Sequence, residues 1–132
     1  DLHLCPFAAV KAALSVAGHV GISQPCAKYG TVDLPNQVFA WASCVASYHY
    51  LLRGRLMGYL HYAKIWDMAG GMALMRNAGF VTLTESGTEF ACAMEDFRFC
   101  SERKFFVEGN LFSAPSREIA EHIRTRIRAE KN

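Results

Sequence analysis

Residues 65–80, IWDMAGGMALMRNAGF, are the most informative stretch of the 132-residue chain. Trp66 and Asp67 open a helix predicted over residues 68–78, and Gly79 stops it, as glycine does just past a helix end. One carboxylate, Asp67, stands at the mouth of a helix that carries no other charge until Arg76. Two readings of Asp67 remain open on spacing alone. Aspartate is a preferred N-cap, which would account for it structurally. It is also a hard oxygen ligand that a buried helix could aim at a divalent cation.

Strand and helix signals alternate outward from this segment. Residues 80–84 (FVTLT) read as a β-branched strand, closed by a turn at residues 85–88. Upstream, residues 56–62 (LMGYLHY) read as a strand and residues 37–53 as a helix ended by Gly54. In that helix Phe39, Ala42, Val45, His49 and Leu52 form one stripe; Trp41, Cys44, Tyr48 and Leu51 form the next. So wide an apolar face predicts burial on most sides, with Trp41 and His49 in the core. Residues 6–17 (PFAAVKAALSVA) predict a helix closed by Gly18, and residues 19–35 predict loop and short strand. Residues 105–107 predict a short strand. A last helix is expected from Pro115, capped by Ser113 or Ser116, with Ile119, Ile123 and Ile127 on one buried stripe. Glu118 and Glu121 then lie toward its positive pole, and Arg124, Arg126 and Arg128 toward its negative pole. Such alternation predicts one layered α/β unit without repeats or linkers.

Composition narrows the function classes. Hydrophobic residues make up 52% and charged residues 20%, against roughly 25% charged in an average soluble domain. Disorder is excluded, and part of the surface is expected to have a cover, from a partner subunit or a missing piece of chain. A net charge of +2 provides no broad basic face, which disfavours nucleic acid as partner. Cys5, Cys26, Cys44, Cys92 and Cys100 have no CxxC spacing and read as free thiols, which fits a reducing, cytoplasmic compartment. The uncharged run at residues 34–52 contains Pro35, Asn36, Gln37, Ser43, Ser47 and His49, so it reads as a buried helix rather than a membrane span. The first residue, Asp1, is expected of a segment cut from a longer protein.

Trp66-Asp67-Met68-Ala69-Gly70-Gly71, running on to Asn77-Ala78-Gly79, resembles the C-terminal signature of the inositol monophosphatase family, Trp-Asp-x-Ala-x-Gly … Glu-Ala-Gly-Gly. Upstream, Ala42-Ser43-Cys44-Val45 and Arg53-Gly54-Arg55 resemble the family's Gly-Ser-Ala-Ala … Ala-x-Gly-Arg helix, and Gly58-Tyr59-Leu60-His61 its following strand. Downstream, the stretch from Lys104 to Ile127 resembles the closing strand and helix, with Asn110 before that helix. The likeness covers residues 36–130. It implies an α/β sandwich in which a small mixed sheet is flanked by helices, this chain supplying the C-terminal half. Residues 36–132 form that portion and residues 1–35 an opening helix-and-loop segment, all in one compact domain.

The family consists of magnesium-dependent, often lithium-sensitive phosphomonoesterases. The resemblance therefore implies Mg2+ as cofactor, a small sugar or inositol phosphate as substrate, and Asp67 as a catalytic metal ligand. It implies a substrate-lining role for Ala42 and Ser43. His61 stands where many members carry a glutamate, which implies a different reading of the substrate's hydroxyls or a contact to an anion; a half-buried strand histidine with one satisfied nitrogen is the alternative. Arg76 and Asn77 replace a common acidic pair and are expected at the surface. Magnesium takes about six oxygen ligands, and the family draws the others from an upstream glutamate and an Asp-Pro-x-Asp-Gly-Thr loop. Neither occurs here. Residues 30–35 (GTVDLP) hold similar letters in another order, and Glu85, Glu89, Glu95, Asp96, Glu102 and Glu108 read as solvated surface. The expectation is thus a phosphatase portion with an incomplete site, whose partner is the missing N-terminal portion or a second subunit in a homodimer. A non-catalytic half-domain serving dimerisation or regulation is the alternative, and a small-molecule binding domain a third.

Overall fold

A computed structural model describes residues 7–99, 102 and 105–129. Pro6, Cys5, Cys100 and Lys104, which figure in the expectations above, lie outside them. Seven strands are present among the described residues: β1 (Val20–Gly21), β2 (Thr31–Val32), β3 (Val38–Phe39), β4 (Gly58–His61), β5 (Val81–Thr84), β6 (Leu111–Ala114) and β7 (Ile127–Arg128). Four α-helices accompany them: α1 (Gln24–Tyr29), α2 (Cys44–Leu52), α3 (Ile65–Asn77) and α4 (Arg117–Arg124). Five strands form a mixed sheet in the order β3-β1-β4-β6-β5. β1 lies parallel between β3 and β4, whereas β6 runs antiparallel to both β4 and β5. β2 and β7 pair separately as an antiparallel ribbon.

The period-two alternation of the strands sorts side chains into two cores. Tyr59 of β4 and Leu111 of β6 face α2 and α3, beside Tyr48, Leu51, Met68, Met72 and Met75. Leu60, Leu83 and Phe112 face the other way, onto Ile119, Ala120 and Ile123 of α4 and Cys26 of α1. This is a three-layer arrangement, a small mixed sheet between helices, as the α/β expectation held.

Several local expectations are corrected. Residues 7–17 are not helical. Val10 bridges in parallel to Arg53 and donates to the Leu52 carbonyl at 2.8 Å, so this apolar segment gains its partner from the end of α2 rather than from its own turns. The helix predicted over residues 37–53 begins only at Cys44, because Val38 and Phe39 pair with β1 instead. Sheet pairing overrides the helical period there. Trp41 is 41% exposed and His49 is also exposed, so neither is core. In residues 19–35, the segment QPCAKY forms α1: Ser23 caps it by accepting from the Cys26 N–H, and proline occupies its first turn. The expected strand at residues 105–107 reduces to isolated bridges at Phe106 and Val107, and the true strand, β6, follows it. Ser116 is the cap of α4. That helix ends at Arg124, so Arg126 lies in the following turn, Arg128 in β7, and Ile127 buries from a strand. Of the three arginines only Arg124 stands in the last helical turn, where it pairs with Glu121 at 2.7 Å.

α3 is the helix predicted, with a different start. Lys64 is the N-cap and makes no side-chain capping bond. Asp67 is therefore the third residue of the helix rather than its cap, where its charge complements the positive pole. At the other end Gly79 takes φ +77°. Its N–H donates to Arg76 O at 3.0 Å and the Phe80 N–H to Met75 O at 2.9 Å. These two bonds make a Schellman termination that a side chain at position 79 would strain.

Candidate functional site

Ser43 stands at the N-terminus of α2, preceded by Ala42, and Asp67 in the first turn of α3. Cys44, the first residue of α2, lies within the field of the Asp67 carboxylate, and Tyr48, one turn on, lies against Gly71, one turn beyond Asp67. Residues 44 and 67, then 48 and 71, are neighbours, so the two helices run side by side in the same direction. Their close approach depends on Gly71. A Cβ there would lie 2.6 Å from Tyr48 Cγ, well inside carbon–carbon contact. The final glycine of the Trp-Asp-x-Ala-x-Gly pattern thus has a packing reason: it admits the Tyr48 ring and brings both helix N-termini together.

Ser43 caps α2. Its Oγ accepts from the Ala46 N–H at 3.2 Å, and its carbonyl accepts from Ser47 Oγ at 2.8 Å. The cap uses an acceptor lone pair and leaves the hydroxyl hydrogen available for donation. Ala42 has φ +57°, a left-handed conformation that costs an L-residue about 1–2 kcal/mol. That conformation explains why a Gly-Ser pair suits this turn, and why alanine is a strained occupant.

Asp67 is exposed, and its carboxylate makes no hydrogen bond or ion pair with any described residue. Two converging helix N-termini place partial positive charge beside it. Burial raises the Cys44 thiol above its ordinary value; a hydrogen bond from Tyr59 Oη at 3.5 Å opposes the rise and the Asp67 charge adds to it. The net rise favours the protonated thiol over the thiolate. Cys26 and Cys92 are also free thiols.

His61 is placed elsewhere. It is 1% exposed, with Nδ1 at 3.1 Å from Tyr48 Oη and Nε2 at 2.9 Å from Ser113 Oγ. Ser113 Oγ is 2.6 Å from Thr82 Oγ1, which donates to Met72 Sδ at 3.7 Å. A thioether only accepts, and this fixes the direction of the whole chain. Thr82 donates to Met72, so Ser113 donates to Thr82, His61 Nε2–H donates to Ser113, and Tyr48 Oη–H donates to Nδ1. Desolvation lowers the imidazole pKa from 6.5 to about 3, and the neutral Nε2–H tautomer is what this chain requires. The expected contact between His61 and a substrate is corrected on this geometry: both nitrogens are used inside the protein and neither faces solvent. His61 instead ties α2 to the sheet.

The sequence reads Tyr48 only as part of an apolar stripe and Ser113 only as a candidate cap, and it singles out neither Thr82 nor Met72 as a partner of His61. Alternation in residues 56–62 puts Tyr59 and His61 on one face, but no local signal names partners 13 and 52 residues away. Arg76 is at the surface as expected and donates to the Ala91 carbonyl at 2.5 Å. Glu85 is more than solvated surface: its carboxylate accepts from the side chain of buried Asn110 at 2.5 Å.

The donor set does not by itself make a magnesium site. Among the described residues no three His, Cys, Asp or Glu side chains come together to hold a metal. One carboxylate beside two positive helix poles falls short of the several oxygens magnesium takes. No helix among the described residues is long and apolar enough to cross a membrane.

No protein-family model matches the sequence, and no curated protein is significantly similar to it. Solved structures do match. A hypothetical protein from Pyrococcus horikoshii, described as having similarities for inositol-1 monophosphatase, superposes with a TM-score of 0.60 at 18% identity. The match covers 92% of this chain and 46% of that one. Inositol monophosphatase from Anabaena (Nostoc) sp. PCC 7120 gives a TM-score of 0.58 at 13% identity, over 89% of this chain and 46% of that one. The chain therefore has an inositol monophosphatase-like α/β architecture. It spans about half the length of the solved chains it matches.

Proposed function

We propose that this chain is the C-terminal portion of a magnesium-dependent phosphomonoesterase acting on a small sugar or inositol phosphate, with Asp67 as a ligand of the catalytic metal. The observation that carries the reading is Asp67 itself: an exposed carboxylate, unclaimed by any described hydrogen bond, in the first turn of the helix that begins the Trp-Asp pattern. Ser43 and the turn at Ala42 lie on the same end of the helix pair and would line the substrate pocket. Magnesium, once held by further carboxylates, supplies the charge that activates water and shields a phosphoryl group. The Ser43 hydroxyl can donate to a phosphate oxygen, and the first-turn N–H groups of α2 add positive potential for an anion.

The remaining oxygen ligands have to come from outside the described residues. The 132-residue chain is accordingly expected to show no magnesium-dependent hydrolysis of phosphomonoesters, whereas Asp67→Asn in a protein carrying the complete fold should weaken magnesium binding at least tenfold. Metal-dependent turnover by the chain alone, abolished by Asp67→Asn, would overturn the view that the site is incomplete. A silent Asp67→Asn in the complete protein would remove the metal-ligand role. The second reading, a non-catalytic half-domain, draws its support from the lone carboxylate and would gain from that silent result.

A further inference from the structure

The α4 side of the sheet carries a cleft, on the face opposite the one that α3 covers. Its apolar lining comes from Phe112 of β6, Ile127 of β7 and Ala129, all packed in the core that α4 closes. Glu85, Arg124 and Arg128 complete the wall, and the space between them is about 310 Å³. That is the lower end of the range for small-molecule sites, about 300–1,000 Å³. An apolar floor with a few charged groups at its edge is also the usual composition of such sites.

The charges around the cleft decide what it takes. The Glu85 carboxylate is engaged by Asn110, accepting from its backbone N–H at 3.2 Å and from its side-chain amide. Arg124 is held in place: Nε donates to Glu121 Oε2 at 2.8 Å and Nη1 to the Glu85 carbonyl at 2.9 Å. The negative pole of α4 is largely satisfied as well. The Glu121 and Ile123 carbonyls accept from the Thr125 and Arg126 N–H groups, and the His122 carbonyl from the Arg126 side chain. Arg128 is exposed, and its guanidinium makes no hydrogen bond or ion pair with any described residue. It is the lining charge left to a ligand, and its planar fork matches a carboxylate.

We propose that this cleft binds a small organic carboxylate with a compact hydrocarbon body, an aromatic or branched aliphatic acid. The hydrocarbon lies on Phe112, Ile127 and Ala129, and the carboxylate pairs with Arg128. Arg124 is the preformed wall, so no side chain of that wall has to be ordered when the ligand arrives. The site is separate from Asp67 and stands whether or not the phosphatase reading does.

The test is a titration of the isotope-labelled 132-residue chain with sodium benzoate, followed by NMR at constant ionic strength. Saturable shifts are expected at the Ile127 and Ala129 methyl groups and the Arg124 Nε–H, with the Val45 and Leu74 methyl groups on the opposite side of the sheet unmoved. Acetate, which lacks the hydrocarbon body, and benzamidine, which reverses the charge, should each bind about fivefold or more weakly than benzoate. Arg128→Gln should weaken benzoate about fivefold or more, because it removes a charge-assisted pair. Arg126→Gln, a neighbouring arginine outside the lining, should stay within about twofold of wild type. Ala129→Met puts a longer side chain into the cleft and should abolish the shifts. The proposal is overturned by shifts that do not saturate or are spread over the chain, which mark an adventitious additive only. It is overturned equally if benzamidine or acetate binds as well as benzoate, or if Arg128→Gln, folded as wild type by circular dichroism, binds benzoate unchanged.

Discussion

Gly70 and Gly71 are adjacent in sequence, and alanine should act on them in opposite directions. At Gly70 an added Cβ meets nothing within 4 Å, so Gly70→Ala gains the helix propensity difference, about 0.8–1.0 kcal/mol. At Gly71 the Cβ would stand 2.6 Å from Tyr48 Cγ and 2.8 Å from Tyr48 Cε2. The ring has little freedom to yield. Tyr48 is 2% exposed, lies edge-on to Tyr59 and His61, and its hydroxyl is bonded to His61 Nδ1. Overpacking of this kind costs about 1–3 kcal/mol, and a lost Tyr48–His61 bond adds about 1–3 kcal/mol for the buried groups left unpaired. After subtracting the propensity gain, Gly71→Ala should destabilise by about 3 kcal/mol. A chain of this length has an unfolding entropy near 0.28 kcal/mol/K on the usual per-residue average, so about 1 kcal/mol corresponds to roughly 3.6 °C. Melting temperatures should then rise by about 3 °C for Gly70→Ala and fall by about 10 °C for Gly71→Ala. Urea denaturation of both variants beside wild type gives the same comparison at 25 °C. If the two substitutions shift stability in the same direction, or if Gly71→Ala lies within 0.5 kcal/mol of wild type, the helix approach described here is wrong.

Two further outcomes follow from the site geometry. Ala42→Gly relieves the φ +57° conformation and should stabilise the chain by about 1 kcal/mol in denaturant titrations, net of glycine's unfolded-state entropy; a loss of stability would show that the turn is not left-handed in solution. The buried imidazole of His61, with its pKa lowered to about 3, makes folding proton-sensitive. The unfolded ring takes up a proton below about pH 6.5 and the folded ring does not until about pH 3, so stability is full above pH 6.5 and falls on acidification through that window. The slope approaches 1.36 kcal/mol per pH unit, giving about 2 kcal/mol lost between pH 7 and pH 5. His61→Gln should flatten that part of the profile, and identical pH dependence in variant and wild type would contradict the buried neutral ring.

The sequence by itself determined the elements whose signals are local. α3 follows from residues 65–80, its stop from Gly79, and the neighbouring β4 and β5 from short apolar runs bounded by turns. Ser116 as a helix cap was legible for the same reason, since a cap acts on the residues just beyond it. The α/β layering followed from that alternation and from the resemblance in the Trp-Asp segment. Tertiary structure decided what depends on partners far along the chain. Residues 38–39 became a strand because β1 lies ready to pair with them, against a helical period that continues through residue 52. Residues 7–17 are not helical because the end of α2 takes up Val10. Asp67 changed from cap to third residue of its helix because the chain turns at Lys64, one residue before the apolar run. His61 shows the limit most plainly. Its alternation put it on the sheet face that α2 covers, but its burial and neutrality come from Tyr48 above it and Ser113 beside it. Burial is a property of the surroundings, and a residue's own neighbours in sequence supply only a small part of those surroundings.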